Sequence, residues 1–269
     1  MRRLLSLAVC LAAVPAIALA ADFKAQRNAW GQPDLSGVWT NATITRLERD
    51  PRLADRLVLT EPEAQRLEGV NAERSEKLSR PTAAATKVDD LPECGSGATG
   101  PACGYNTFWI DPGTKVIRIG GEARSSIIVS PKDGRLPMTP AAEARLRARL
   151  GNAQVGNFDG PERRPLGERC LVGFGSTSGP PMLPVLYNNH YQIVQGKDEV
   201  AILIEMVHDV RVIRMTGSHA PAQVRSWMGD SVGRWEGETL VVETTNFRAD
   251  QTFRGATETL SVIERFTRI

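Results

Sequence analysis

The sequence contains few cysteines and histidines, and it has no large excess of basic residues. Of its 269 residues, only four are cysteines and three are histidines. No CxxC pair with a nearby histidine completes a tetrahedral zinc set, so we predict no metal site. Lys and Arg number 33 against 31 Asp and Glu, and this balance gives no electrostatic footprint for nucleic acid or an anionic membrane. We therefore predict neither as a partner.

Long apolar runs are also missing after the N-terminus. Residues 1–20 combine two arginines, an apolar stretch too short to span a bilayer comfortably, and the small-x-small pattern Ala18-Leu19-Ala20. We interpret them as a secretory signal peptide, and no later segment is apolar enough to predict a membrane span. The sequence thus predicts a single mature domain over residues 21–269, located in the periplasm or secreted.

The few cysteines still allow one disulfide, because an exported chain is open to oxidation. Cys94 and Cys103 bracket the flexible sequence GSGATGPA, so we predict a bond between them, with two free thiols as the alternative. Cys170 is predicted to be a buried small hydrophobe. Two stretches rich in glycine and proline, about 80–104 and 152–186, predict long loops.

Nucleotide-binding signatures are absent as well. The chain has neither a Walker A sequence nor a Rossmann glycine pattern after a strand, so we predict no nucleotide cofactor. Gly229–Gly233 satisfies G-x-S-x-G, but a nucleophile elbow needs a helix after it and a histidine later in the chain. A hairpin follows instead, and no histidine comes after His219. We interpret Ser231 as a turn residue.

What the sequence does contain is a final third typical of short consecutive strands. β-Branched residues alternate with polar ones there, and turn residues separate most of the runs, which cover 191–195, 200–206, 210–215, 232–235, 239–247 and 260–269. Gly237 supplies the permissive turn of a hairpin. Gly37-Val38-Trp39 is similar to the opening of lipocalin-like barrels. We predict a mainly β fold, either a lipocalin-like barrel or a curved antiparallel barrel.

Two peripheral helices are predicted outside this sheet. Thr60 and Glu63 have the spacing of a capping box, which predicts a helix to about Leu78. Thr139-Pro140 predicts the start of a second helix, which we expect to run through Leu150 and to end at Gly151. Shorter strands are predicted at 115–119 and 125–129.

The densest polar cluster in an apolar context is the segment from Glu205 to Arg211. A carboxylate beside a histidine is the minimum for acid and base catalysis near neutral pH, so the candidate catalytic residues are His208, Glu205, Asp209 and Arg211. On a continuous strand His208 faces away from the other three, and a bend at His208 would change that. The alternative is a structural Glu205–Arg211 ion pair with His208 at the rim.

Candidate binding residues are aromatic, amide or histidine side chains near this segment. Aromatic residues can line a pocket for an apolar molecule, although they are also ordinary core residues. Two adjacent asparagines at a loop-to-strand junction are available to a ligand. The predicted binding set is Asn188, Asn189, His190, Tyr191, Trp227, Trp235 and His219.

Several blocks of the chain together resemble a large family of secreted, mostly uncharacterised bacterial proteins. These blocks are PDLSGVW (33 to 39), YNTFWIDPGTKV (105 to 116), SSIIVSPKDGRLP (125 to 137), GERC (167 to 170), GPPMLPVLYNNHYQIVQ (179 to 195), EMVHDVRVI (205 to 213), WMGDSVGRWEGETLVVETTNF (227 to 247), FRG (253 to 255) and ERFTRI (264 to 269). The resemblance implies a secreted, β-rich, barrel-like domain and transfers no reaction. Members of the family continue past the last block, so an open edge at 260–269 would favour a homodimer.

Two functional hypotheses follow from these observations. The first is an exported enzyme of lyase, isomerase or hydrolase type that uses the histidine and carboxylate pair on a small molecule. The second is a non-catalytic binder of an apolar or aromatic small molecule. The position of His208 relative to Glu205 and Asp209 distinguishes them.

Overall fold

A computed structural model describes residues 23–79, 87, 111–154, 160–164, 166–172, 179–249 and 253–269. The predicted signal peptide and the predicted disulfide between Cys94 and Cys103 lie outside these residues. The described chain contains two α-helices and ten strands, namely β1 (Gly37–Thr40), β2 (Val58–Leu59), α1 (Glu61–Ser79), β3 (Arg118–Ile119), β4 (Glu122–Arg124), α2 (Pro140–Gln154), β5 (His190–Gln195), β6 (Glu199–Ile204), β7 (Val210–Arg214), β8 (Asp230–Glu236), β9 (Thr239–Thr245) and β10 (Val262–Thr267). None of the described helices is long and apolar enough to cross a membrane.

The prediction of a mainly β fold with a curved sheet and two helices is confirmed. Seven strands form one sheet in the order β1-β5-β6-β7-β8-β9-β10, which curls into a half-barrel. A separate small sheet has the order β2-β4-β3. All neighbours in the half-barrel are antiparallel except β7 and β8, which run parallel. The expectation of antiparallel neighbours is wrong at this pair, because the long connection between them returns the chain to the end of the sheet where β7 began.

Alternation of side chains along the strands of the half-barrel produces its core. Every second residue of β5 and β6 is buried, since successive side chains of a strand point to opposite faces. The buried cluster that results consists of Leu35, Tyr191, Ile193, Val200, Ile202, Ile204, Met206, Ile213, Leu240 and Val242. At roughly 25 cal/mol per Å² of apolar surface removed from water, this burial is the main stabilisation of the sheet.

The curl of the sheet is visible in contacts that a flat sheet could not make. Arg211 on β7 forms an ion pair with Glu264 on β10, three strands away. Adjacent strands lie about 4.8 Å apart, so in a flat sheet this distance would exceed the reach of an arginine side chain. Contacts also join the two edges, because Arg268, just after β10, donates to the carbonyl oxygen of Asp34 at 3.0 Å and lies 5.4 Å from the ring centroid of Trp39 on β1.

Strand β10 is an edge of the described sheet, and Ile263 on it is 63% exposed. The homodimer that an open edge would favour stays a prediction.

The helices begin where the sequence predicts. The Glu63 carboxylate accepts hydrogen bonds from the backbone N–H and the hydroxyl of Thr60, each at 2.9 Å, and the Thr139 hydroxyl accepts from the Ala142 N–H at 3.2 Å. The predicted end of the second helix at Gly151 is wrong, because α2 continues to Gln154. A single glycine lowers helix stability without forcing the helix to end.

The strands predicted at 115–119 and 125–129 are shorter or absent, because side chains take the place of a strand ladder there. The Val116 N–H donates to Glu68 and the Ile117 N–H donates to the hydroxyl of Thr45. Successive amides of Ile127 and Ile128 donate to successive carbonyl groups of Arg46 and Leu47, a pattern that no regular ladder has.

Cys170 is exposed and forms no disulfide, so the prediction of a buried cysteine is wrong. Its backbone has a φ of 53° and its N–H donates to the carbonyl oxygen of Gly167 at 3.2 Å. The residue therefore closes a surface turn instead of packing in the core.

Candidate functional site

The segment that was predicted to carry the catalytic residues is a tight loop between β6 and β7. A single 3-10 turn, Met206–His208, connects the two strands, and Val207 and His208 have φ values of 56° and 57°. The N–H of Ile204 donates to the carbonyl oxygen of Asp209 at 2.8 Å, which closes the loop. The alternation of a continuous strand is therefore broken, and the loop sends its polar side chains in different directions.

Glu205 bonds to His190 and not to His208. One carboxylate oxygen of Glu205 lies 2.9 Å from Nδ1 of His190 and accepts from the His190 backbone N–H at 3.1 Å. Both side chains are nearly half exposed, while His208 is exposed on the loop. The structure thus brings together a histidine and a carboxylate from the predicted set, but in a different pair from the one that the sequence suggested.

Asp209 is partly buried at the start of β7, two residues before Arg211 and on the same face. Its Oδ2 atom is inaccessible to solvent and has no hydrogen-bond partner. Burial raises the pKa of this carboxyl group, because the charged form loses hydration. The environment of Asp209 therefore favours binding a proton.

Arg211 lies on the concave face of the half-barrel and is only 2% exposed. Its guanidinium donates to the hydroxyl groups of Ser231 and Thr244, both at 3.0 Å, and forms an ion pair with Glu264. The alternative interpretation, a Glu205–Arg211 ion pair, is therefore wrong, because Arg211 pairs with Glu264 and Glu205 pairs with His190. The interpretation of Ser231 as a turn residue is also wrong, since it lies on β8 and is buried within this network.

Sequence reasoning missed Glu264 and Thr244, although a signal for Glu264 is present. In Val262-Ile263-Glu264-Arg265-Phe266 the carboxylate shares its face with Val262 and Phe266. An acidic residue between two inward apolar residues needs a buried cationic partner. Which strand would supply that partner depends on the curl of the sheet.

Partly buried apolar side chains pack on the core cluster of the half-barrel. Met182 is one of them, and its sulfur lies 3.8 Å from Nη1 of Arg211. The others that pack on the core cluster include Met215, Met228, Trp235 and Phe266. The indole N–H of Trp235 is buried and has no hydrogen-bond partner. We name these five residues, together with the Arg211–Glu264 network, the concave site.

Tyr191 borders the concave site on β5 and is 2% exposed. Burial raises the pKa of its phenol to about 12; the hydrogen bond from Asn41 at 3.1 Å acts in the opposite direction, and the charge of Glu264 adds to the increase. The phenol is therefore neutral at physiological pH and presents a hydroxyl group.

Asn189 and Trp227 have structural partners. Asn189 is 1% exposed, and its amide bonds to the backbone of Val185 and Asp111 at 2.8–2.9 Å. The expectation that this amide is open to a ligand is wrong. Trp227 stacks with the guanidinium of Arg248 at 4.3 Å. Asn188 is partly buried and has a φ of 56°.

His219 belongs to a third polar cluster, at the end of β7 and the start of β8. Its Nδ1 atom lies 2.9 Å from Asp230, which also accepts from the Ala220 N–H and from Arg214. Burial raises the pKa of Asp230, but these hydrogen bonds and the charge of Arg214 outweigh burial, so that the pKa is lowered. The cluster anchors the connection between the two parallel strands.

Within the described part of the chain, no group of three or more His, Cys, Asp or Glu residues has the geometry to hold a metal ion. Comparison with known proteins finds no matching family, no matching curated protein and no matching solved structure. The site therefore has to be interpreted from its own chemistry.

Proposed function

We propose that this protein binds a small apolar or aromatic molecule at the concave site. The proposal rests on partly buried apolar side chains that pack on the core cluster of the half-barrel, together with the buried Arg211–Glu264 pair. Ligand sites are mostly concave and apolar, with a few polar groups that fix the orientation of the ligand. Thioether side chains adapt to irregular ligands because they are flexible and polarisable.

The polar groups of the site indicate which part of a ligand they would hold. The unpartnered indole N–H of Trp235 is a donor, and an unsatisfied buried donor costs about 1–3 kcal/mol. A ligand with a carbonyl or ether oxygen removes this cost. The Arg211–Glu264 pair is neutral as a unit, so we expect a neutral ligand with at least one hydrogen-bond acceptor.

A fluorescence titration tests this proposal. The probe is 6-propionyl-2-dimethylaminonaphthalene, a neutral aromatic ketone whose emission shifts to the blue in an apolar site. We expect saturable binding to the wild-type protein. Trp235→Phe keeps the ring but removes the donor, so the Kd should rise about twofold to tenfold, which corresponds to a hydrogen bond of about 0.5–1.5 kcal/mol.

Two further variants locate the probe. Trp30→Phe makes the same chemical change at a residue that is 46% exposed before β1, and it should leave the Kd unchanged. Met182→Trp adds bulk over Arg211 and should abolish most of the binding. If the probe does not bind, or if it binds Trp235→Phe and Met182→Trp with the same Kd as the wild-type protein, the concave site is not a ligand site.

A second candidate function, acid and base catalysis on the bound molecule, is favoured by Asp209. A carboxyl group with a raised pKa and an unpartnered oxygen at the edge of a concave surface is suited to proton transfer. In this version Asp209, not His208, carries the proton, and no nucleotide cofactor takes part.

We further propose that the protein acts outside the cytoplasm and is related to the secreted family, on the basis of residues 1–20 and of the sequence blocks described above.

A further inference from the structure

A second concavity lies away from the concave site, between the start of α2 and the segment before β10. Its volume is about 320 Å³. The walls come from three segments, and the lining residues that carry the argument are Leu136, Met138, Arg145, Phe253, Arg254 and Thr257. A cavity of this size is at the lower end of the range for small-molecule sites, roughly 300–1,000 Å³.

The charged residues that line this cavity are both arginines. Arg145 is fixed against the wall because its Nε donates to the carbonyl oxygen of Gly255 at 2.9 Å. Within the described chain, neither Arg145 nor Arg254 forms an ion pair with a carboxylate. By contrast, Arg147 on the same helix pairs with Glu143 at 3.2 Å. The cavity therefore has a positive potential that no lining residue neutralises.

The backbone of the cavity wall is tightly held. Gly255 has a φ of +82° and lies so close to the carbonyl oxygen of Ala142 that no side chain fits between them. This contact and the Arg145 hydrogen bond join the segment to α2. Arg145 is thus attached to a preformed wall, and Arg254 directly precedes Gly255 in that wall, so less order has to be gained on binding.

The rest of the lining is apolar or neutral. Leu136, Met138 and Phe253 form an apolar side of the cavity. The hydroxyl groups of Thr257 and Thr259 bond to each other at 2.9 Å. Glu48 accepts from the Leu136 N–H at 3.1 Å, and neither Glu48 nor the neighbouring Glu143 and Glu258 are among the lining residues. The ligand that fits this chemistry has one anionic end and one apolar end.

We propose that this cavity binds a small organic carboxylate. Guanidinium groups bind carboxylates through pairs of charge-assisted hydrogen bonds, and Arg145 and Arg254 both line the cavity. The apolar body of the ligand packs against Leu136, Met138 and Phe253. The site is separate from the concave site and does not depend on it.

Binding of benzoate, measured by isothermal titration calorimetry on the full mature chain, tests the proposal. We expect saturable binding to the wild-type protein and at least a tenfold loss of affinity in both Arg145→Ala and Arg254→Ala. Arg147→Ala is the matched control, because it removes an arginine of the same helix that already has a carboxylate partner; its affinity should stay within twofold of wild type.

A parallel titration with inorganic phosphate separates an organic acid from any anion. The proposal expects phosphate to bind at least tenfold more weakly than benzoate, because phosphate cannot use the apolar side. Equal affinity for the two anions overturns the proposal, as does the absence of benzoate binding or an equal loss in all three arginine variants. Because Arg145 and Arg254 are exposed, we expect far-ultraviolet circular dichroism of the variants to match wild type.

Discussion

The two sheets of this protein are stabilised by different interactions. Among the described residues, the half-barrel has a cluster of ten buried apolar residues and the buried ion pair Arg211–Glu264. Among the described residues, the small sheet has a buried cluster of four, Leu59, Ala64, Val116 and Ala123. Charged side chains also hold the elements of this sheet together. Glu68 accepts hydrogen bonds from Lys115, Arg118 and the Val116 N–H, and this carboxylate, with the Glu61–Arg118 pair at 3.0 Å, connects α1 to the strand segment.

The comparison shows what a charged residue does in each setting. In the half-barrel, burial of apolar side chains stabilises the strands. The ion pair costs desolvation free energy, and the structure tolerates it only when both charges are present. In the small sheet the strands are two or three residues long, and side chains supply hydrogen bonds that a longer ladder would make. Loss of a charge should therefore affect the whole half-barrel in the first case and local order in the second.

The largest effect is expected from Arg211→Ala. The side chain of Glu264 is only 12% exposed, and this change leaves its carboxylate without a cationic partner. Breaking a buried ion pair in this way costs about 3–5 kcal/mol of the free energy of unfolding. Urea denaturation followed by circular dichroism measures the loss. The decrease in the free energy of unfolding should be nearly independent of salt, because ions in the solvent screen a buried pair only weakly.

The double variant Arg211→Met/Glu264→Met is the control for this prediction. It removes both charges and keeps apolar volume, so most of the lost stability should return. If the double variant is as unstable as Arg211→Ala, the network is needed for more than charge balance, and the distinction between the two sheets fails at this point.

A smaller effect, confined to the small sheet, is expected from Glu68→Gln. Hydrogen bonds to Lys115 and Arg118 lower the pKa of Glu68 to about 2, against the opposing effect of burial. The stabilisation is therefore complete above the ordinary pKa of about 4.5 and is lost as the pH falls towards 2. We expect the substitution to cost about 1–3 kcal/mol at neutral pH.

Hydrogen exchange read amide by amide shows where that cost falls. Protection should decrease at Val116 and along α1, while the amides of β5 and β6 keep theirs. Glu73→Gln is the control, since this residue is exposed on the same helix. A loss of protection that spreads evenly over both sheets would mean that they unfold as one unit, and the proposed difference between them would be wrong.

The same contrast explains which features the sequence could predict. The six strands of the final third and the start of both helices follow from alternation, turn residues and caps, which act over a few residues. The partners of Glu205 and Arg211 do not, because His190 and Glu264 are distant in the chain and meet only when the sheet curls. The loop at His208 was also not predictable, since two successive residues other than glycine adopt positive φ there, against their local preference.

The smallest effect, and the one with the opposite sign, is expected from Asp209→Asn at the edge of the half-barrel. Burial raises the pKa of Asp209, so its contribution to stability is most favourable below the ordinary Asp pKa of about 3.9 and declines as the pH rises through the folded value. At neutral pH the uncharged amide should therefore increase the Tm by about 2 °C, the scale on which a modest stabilisation registers in a chain of this length. At pH 3 the increase should disappear. Asp198→Asn, at an exposed turn between β5 and β6, is the control and should change the Tm equally at both pH values. Glu68 and Asp209 thus predict opposite effects of acid: a fall in pH should lower the stability of the small sheet and raise that of the half-barrel. If the Asp209→Asn protein is less stable than wild type at pH 7, the charged carboxylate has a stabilising partner.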